Sequence, residues 1–241
     1  MACGGPATPD VADASAPYKY REEHDRNGTG KFYLGREIAR TTGPETATWQ
    51  ERPTREREQR PDLLIDNLDL EPDDVVADVG AGTGYHSFRI ATHVPKGRVI
   101  AVEIDPEWLR LIQQKAERLG VRNVETRLGT EMDPGLEPSS VDLVLMVDVY
   151  HELLYPVEMM REIRRALRPG GRVVLVEYRL EDPDVRVMRV HKMSEAQARR
   201  ELEAAGLVWV RNVDVLPQQH LLVFRNEGPS GAMEDRDPGA R

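Results

Sequence analysis

The apolar positions of the chain change period along its length. Leu63, Leu64, Leu68 and Leu70 fall on one face of a helix, which Glu71-Pro72-Asp73-Asp74 closes as a turn; Val75 to Val79 then reads as a buried strand. From there the pattern predicts a helix at about 84–94, a strand at 98–103, a helix at 106–119, strands at 123–128 and 141–147, a helix at 156–167 and a strand at 172–178. Short β-branched runs separated by helices indicate parallel strands covered on both faces. A further helix, about 194–205, starts at the capping residue Ser194 and stops at Gly206. The last two strands, 207–215 and 220–225, are joined by Leu216-Pro217-Gln218-Gln219. That link is too short for a crossover helix, so the pair must form a hairpin and one strand must run antiparallel to the rest. The fold class is therefore α/β, a doubly wound, mostly parallel sheet.

Outside this region the pattern fades. Residues 1–17 and 226–241 are poor in large apolar side chains and are expected to be disordered tails. Residues 18–60 are polar, with anchors such as Tyr18, Tyr20, Tyr33 and Trp49, and form an accessory or lid segment; 61–225 is the principal domain. The aromatic residues either wall a substrate site or staple the segment down. Arg52 to Arg60 interleaves arginine with glutamate and reads as a solvated helix face.

Composition narrows the function. The 33 Lys and Arg against 42 Asp and Glu give a formal charge of -9, which disfavours general binding to nucleic-acid phosphates and points to a charged small molecule or a protein as partner. No apolar run reaches the ~18–20 residues of a membrane helix. The single cysteine, Cys3, excludes an internal disulfide and favours a reducing, cytoplasmic location; the alternative is lipid anchoring through Cys3 if the true start lies upstream.

Asp78-Val79-Gly80-Ala81-Gly82-Thr83-Gly84 follows a buried strand and opens a helix, where alternate glycines let a ligand approach the backbone. Tyr85 replaces the third glycine of the dinucleotide fingerprint, so a pyrophosphate ligand, and with it a dinucleotide-dependent oxidoreductase, is the poorer reading. The next strand ends in Glu103, suited to accept hydrogen bonds from both ribose hydroxyls, and Asp105 caps the following helix.

With these residues, the fourth strand Val141-Asp142-Leu143-Val144, Leu167-Arg168-Pro169-Gly170-Gly171 and the terminal hairpin, residues 60–225 resemble the class I S-adenosylmethionine-dependent methyltransferases. The resemblance implies a Rossmann-like sheet of seven strands with the last antiparallel and S-adenosyl-L-methionine as cofactor. It assigns Asp78, Gly80, Ala81, Gly82 and Gly84 to the methionyl part, Glu103 to the ribose, Ile104 to packing on the adenine and Glu131 to the adenine amino group, and it adds Asp148 to the cofactor set. The string Asp148-Val149-Tyr150-His151-Glu152-Leu153 is similar to that of small-molecule methyltransferases. No Asn-Pro-Pro-Tyr string follows the fourth strand, which weighs against base methylation.

Methyl transfer by in-line displacement needs an aligned nucleophile and a proton acceptor. His151 is the expected general base, or a residue that holds its loop; Tyr150 and Glu152 are expected to orient the substrate or the His151 ring, and His220, with Glu177 and Tyr178, to reach the same rim. His86 stays open and His93 reads as surface. His151, Glu152, His191 and His220 would bind a metal only if they converge, and their long spacings lack a metal signature, so none is expected. A binding protein without turnover, acting as a sensor or partner subunit, is the alternative function.

Overall fold

A computed structural model describes residues 17–227; Cys3 and nearly all of both expected tails lie outside the described residues. The principal sheet contains β4 (Val75–Val79), β5 (Arg98–Glu103), β6 (Val124–Leu128), β7 (Val141–Val147), β8 (Leu167–Tyr178), β9 (Val208–Asn212) and β10 (Gln219–Arg225). Its order is β6-β5-β4-β7-β8-β10-β9. β10 is antiparallel to both neighbours, so β9 runs with the parallel strands, as the short connection required.

Alternation along the strands divides the core into two layers. Val75, Ala77 and Val79 pack with Met160 and Ile163 of α6 (Pro156–Ala166) and with Ala198 and Leu202 of α7 (Glu195–Ala204). Val76, Leu143 and Leu145 face the other way, onto Leu64 and Ile65 of α3 (Pro61–Asp66) and Ile90 and Ala91 of α4 (Ser87–Ala91). Packed against β5 and β6, α5 (Pro106–Leu119) begins where Asp105 accepts the Glu107 N–H at 2.8 Å, the cap anticipated from sequence. Ser194 likewise caps α7 by accepting the Gln197 N–H at 3.1 Å. The expected helix at 84–94 is much shorter, because Gly82 and Gly84 adopt φ of +55° and +71° and hold the chain out of a right-handed helix until Ser87.

A second sheet was not foreseen. β1 (Tyr18–Tyr20), β2 (Gly28–Tyr33) and β3 (Arg36–Ala39) form an antiparallel sheet whose β2–β3 turn is Leu34-Gly35, both residues at positive φ as a two-residue hairpin requires. It docks on the segment after β7. Lys31 Nζ donates to the Leu154 carbonyl at 2.6 Å and lies 3.5 Å from the Tyr155 ring centroid, while the Tyr18 hydroxyl bonds Glu158. Arg36 grips Glu201 of α7 through two bonds of 2.7 and 2.8 Å and donates to the His151 carbonyl at 3.0 Å. The remaining segment carries α1 (Ala47–Gln50) and α2 (Arg55–Gln59). Among the described residues, no helix is long and apolar enough to cross a membrane.

Candidate active site

Strand order reverses between β4 and β7: β5 and β6 extend one way from β4, β7 and β8 the other. In open α/β sheets a crevice opens at the carboxyl ends of the strands beside such a switch. Here a cavity of about 370 Å³ lies there, touching Val79 of β4, Glu103 of β5, Val147 of β7 and Tyr178 of β8.

One wall is the glycine turn. The Gly80 and Ala81 N–H groups donate to the Val102 carbonyl at 2.9 and 3.2 Å, binding the turn to β5. A Cβ on Gly80 would come within 2.5 Å of the Val149 side chain, and one on Gly82 within 2.2 Å of Gln50 Oε1, so protein atoms already occupy the space those glycines leave. Gly84 does not line the cavity. Its absent Cβ is replaced by Phe88 at 2.8 Å and Ile112 at 3.3 Å, which makes it a packing glycine between the turn and α5 and corrects its assignment to the ligand.

Glu103 accepts the Gly82 N–H at 2.6 Å and the Ile104 N–H at 3.2 Å. Burial pushes its pKa up to about 7 against the pull of those two donors. Asp78 accepts the Ser87 hydroxyl at 2.5 Å and is pushed up to about 6 by burial; Asp148 accepts from the Gln219 amide at 2.8 and 2.9 Å and from the Gln59 amide at 3.2 Å, and is pushed up to about 7 by burial and by the Glu177 charge. Glu131 and Glu152 also face the cavity. Against these five acids, Arg55 is the only Lys or Arg among the described lining residues. Among the described residues the titratable lining is thus predominantly acidic.

Arg55 corrects the reading of 52–60 as a solvated face. Arg55 and Gln59, four apart on α2, turn inward together: Arg55 bonds Gln59, lies 3.2 Å from His86 Nε2 and stacks 4.1 Å over the Tyr85 ring, while Gln59 donates to the Tyr178 hydroxyl at 2.7 Å. The i, i+4 pairing was the available signal, masked by the surrounding charges. Thr41, Thr42, Thr46, Trp49 and Gln50 extend this wall, so the accessory segment crosses the strand ends. Trp49 lines the cavity, whereas Tyr18 and Tyr33 are anchors outside it and Tyr20 is exposed.

At another part of the lining stand His151, Glu152 and His191. His151 is 2% exposed; its Nδ1 lies 2.5 Å from Glu177 Oε2 and its Nε2 3.1 Å from His191 Nδ1. Burial pulls the His151 pKa down, but the Glu177 charge and hydrogen bond more than reverse this, so the net direction is upward. Tyr150 and His220 are corrections. Tyr150, adjacent to His151 but turned the other way, is completely buried in the core under Arg36. His220 sits one residue along β10 from Gln219; strand alternation gives Gln219 to Asp148 and turns His220 to Glu181 Oε2 at 3.0 Å and Asn212 at 3.2 Å. Glu177 touches the site only through His151. Ala81, Ile104, Glu131 and Asp148 line the cavity with Asp78, Gly80, Gly82 and Glu103; His86 lines it too, and His93 is exposed.

Comparison with known proteins agrees with this geometry. A family model described as a methyltransferase domain matches residues 70–219. An uncharacterised methyltransferase-like protein of Schizosaccharomyces pombe is 32% identical over 65% of this chain and 57% of its own, and a tRNA U34 carboxymethyltransferase of Klebsiella pneumoniae is 32% identical over 58% and 45%. The chain thus spans about half the length of these relatives. The crystal structure of an S-adenosylmethionine-dependent methyltransferase from Aquifex aeolicus, 25% identical, superposes with a TM-score of 0.73 over 77% of this chain and 99% of that one.

Proposed function

Because the chain belongs to the class I S-adenosylmethionine-dependent methyltransferases, we propose that it moves a methyl group from S-adenosyl-L-methionine to a small-molecule acceptor held beside His151 and Glu152. The observation that carries this reading is a single cavity lined both by the Glu103–glycine turn and by the histidine pole.

The residues present fit the cofactor. Five acids against one arginine suit a ligand bearing a sulfonium and an ammonium, and Glu103, anchored by the Gly82 and Ile104 N–H groups, keeps acceptor capacity for a sugar diol. When bound, the cofactor supplies an electrophilic methyl on a positive sulfur. Asp78 and Asp148 offset that charge in a partly dry cavity, where electrostatic interactions are strengthened. Glu177 holds His151 by Nδ1 and aims Nε2, which faces His191 Nδ1 at 3.1 Å, at the cavity; in the metal-free chain Nε2 exchanges that partner for the acceptor and takes its proton. Trp49 and Met188, each partly exposed, supply an apolar rim for the body of the acceptor. The enclosed volume lies near the lower end of small-molecule sites, and the formal charge of -9 opposes a phosphate backbone.

The test is incubation with methyl-labelled cofactor and a panel of phenols, thiols and small acids, with bulk tRNA in parallel. S-adenosylhomocysteine formed together with a labelled small molecule is the expected result. Label in tRNA alone overturns the acceptor class, and binding without any S-adenosylhomocysteine returns the chain to a sensor or partner subunit.

A Glu103→Gln variant separates affinity from stability. The folded carboxyl titrates near 7 against an ordinary 4.5, so the folded state binds this proton more tightly than the unfolded state. Ionisation therefore opposes folding increasingly from about pH 4.5 to 7 and fully above. At pH 8 the glutamine chain, without cofactor, is expected to be more stable by about 1–3 kcal/mol and to bind cofactor at least ~10-fold more weakly. Wild-type affinity by calorimetry removes Glu103 from the site.

A further inference from the structure

We propose that His151, Glu152 and His191 form a site for one first-row transition-metal dication of the zinc type, with its remaining coordination position open to the cavity. His151 Nε2 and His191 Nδ1 lie 3.1 Å apart, His191 Nδ1 and Glu152 Oε1 3.4 Å, and His151 Nε2 and Glu152 Oε1 3.8 Å. The circle through three atoms so spaced has a radius of about 2.0 Å, which is the length of a zinc–imidazole or zinc–carboxylate bond. One ion therefore reaches all three donors at once. A hydrogen bond between the two rings satisfies only the nitrogens and leaves the Glu152 oxygen beyond good hydrogen-bond range of both.

The surroundings carry the same signature. Glu177, fully buried, takes His151 Nδ1 at 2.5 Å, the carboxylate–histidine arrangement that aims the opposite nitrogen at a metal. Its second oxygen is buried with no hydrogen-bond partner, so among the described residues this carboxyl hydrogen-bonds His151 alone. Glu152 Oε2 is held by the Thr42 N–H at 3.3 Å, leaving Oε1 free to point inward. The two imidazole rings cross at 85° with centroids 5.1 Å apart, so their nitrogens converge while the rings stay unstacked. Two imidazoles and one carboxylate favour a borderline dication over magnesium or calcium, which prefer all-oxygen sets.

The binding itself is independent of the reading given above; only its role rests on methyl transfer. In that role the acceptor heteroatom, a hydroxyl or thiol, takes the open position. Coordination lowers its pKa and its proton leaves to solvent; the heteroatom–methyl bond then forms as the sulfur–methyl bond breaks, and the thioether departs neutral.

The test uses the full chain stripped with chelator, then dialysed against zinc, and separately against cobalt(II). About one ion per chain is expected, with the visible absorption of a four-coordinate cobalt site. His191→Ala and Glu152→Gln should each weaken retention at least ten-fold; unchanged S-adenosylhomocysteine affinity in His191→Ala shows that the fold survives, and His93→Ala should retain the ion as wild type does. Zinc lost in His191→Ala supports the site whether or not any acceptor is methylated. Equal retention in His191→Ala and wild type overturns it, as does methyl transfer by the stripped chain with no zinc uptake, an outcome that leaves the methyl-transfer reading standing.

Discussion

Replacing His151 by alanine is expected to lower the turnover of methyl transfer by about 10²- to 10⁴-fold, the range a positioned proton-handling group supplies, while cofactor affinity stays within about two-fold. The separation follows from the contacts. The His151 ring bonds Glu177 and His191 and makes no hydrogen bond to the glycine turn or to Glu103. Turnover should therefore fall without a matching change in S-adenosylhomocysteine binding by calorimetry. Glu177→Gln keeps the shape and the hydrogen bond but removes the charge that pulls on His151, and should reproduce part of the loss. Wild-type turnover in His151→Ala would reduce this residue to scaffold; a parallel loss of affinity would mean that the cavity itself had collapsed.

Arg36→Met is expected to destabilise the chain by about 3–5 kcal/mol, because it strands Glu201 as an unpaired charge with no solvent exposure. Burying a lone carboxylate is far less favourable than burying its ion pair, whereas replacing both partners by apolar groups is close to neutral. The Arg36→Met, Glu201→Met double variant should then recover most of the loss in urea denaturation. Arg36 also donates to the His151 carbonyl at 3.0 Å, so the double variant, though stable, should still turn over more slowly than wild type. A single-variant loss below about 1 kcal/mol would show that the pair is solvated and that the β1–β3 sheet is not what holds the His151 turn.

How much of this was legible in the sequence depends on the range of the interaction involved. Val75–Val79 and Val141–Val147 announced themselves because a strand buried on both faces must be apolar at nearly every position, and Leu216–Gln219 announced a hairpin because four residues cannot bridge parallel strands. The Asp105 and Ser194 caps are contacts spanning two or three residues and were equally readable. Glu103 and the glycine turn were found because the end of a strand places them, whatever the rest of the chain does.

Side-chain direction at the rim was a different matter. Tyr150 and His151 are adjacent, yet one fills the core and the other faces the cavity, and Gln219 and His220 divide in the same way across a strand whose register a loop decides. Arg55 looked like one charge among many until burial against Tyr85 and His86 gave it a partner set.

Local propensity and periodicity, which act over a few residues, determined the doubly wound sheet, its antiparallel last strand and the cofactor-side acid. Only the folded chain decided that His191, forty positions beyond His151, would meet it at 3.1 Å, and that a hairpin near the N-terminus would clasp the same turn through Arg36. Those contacts arise when the sheet closes and brings distant loops to one edge, and nothing in the spacing of residues along the chain encodes that distance.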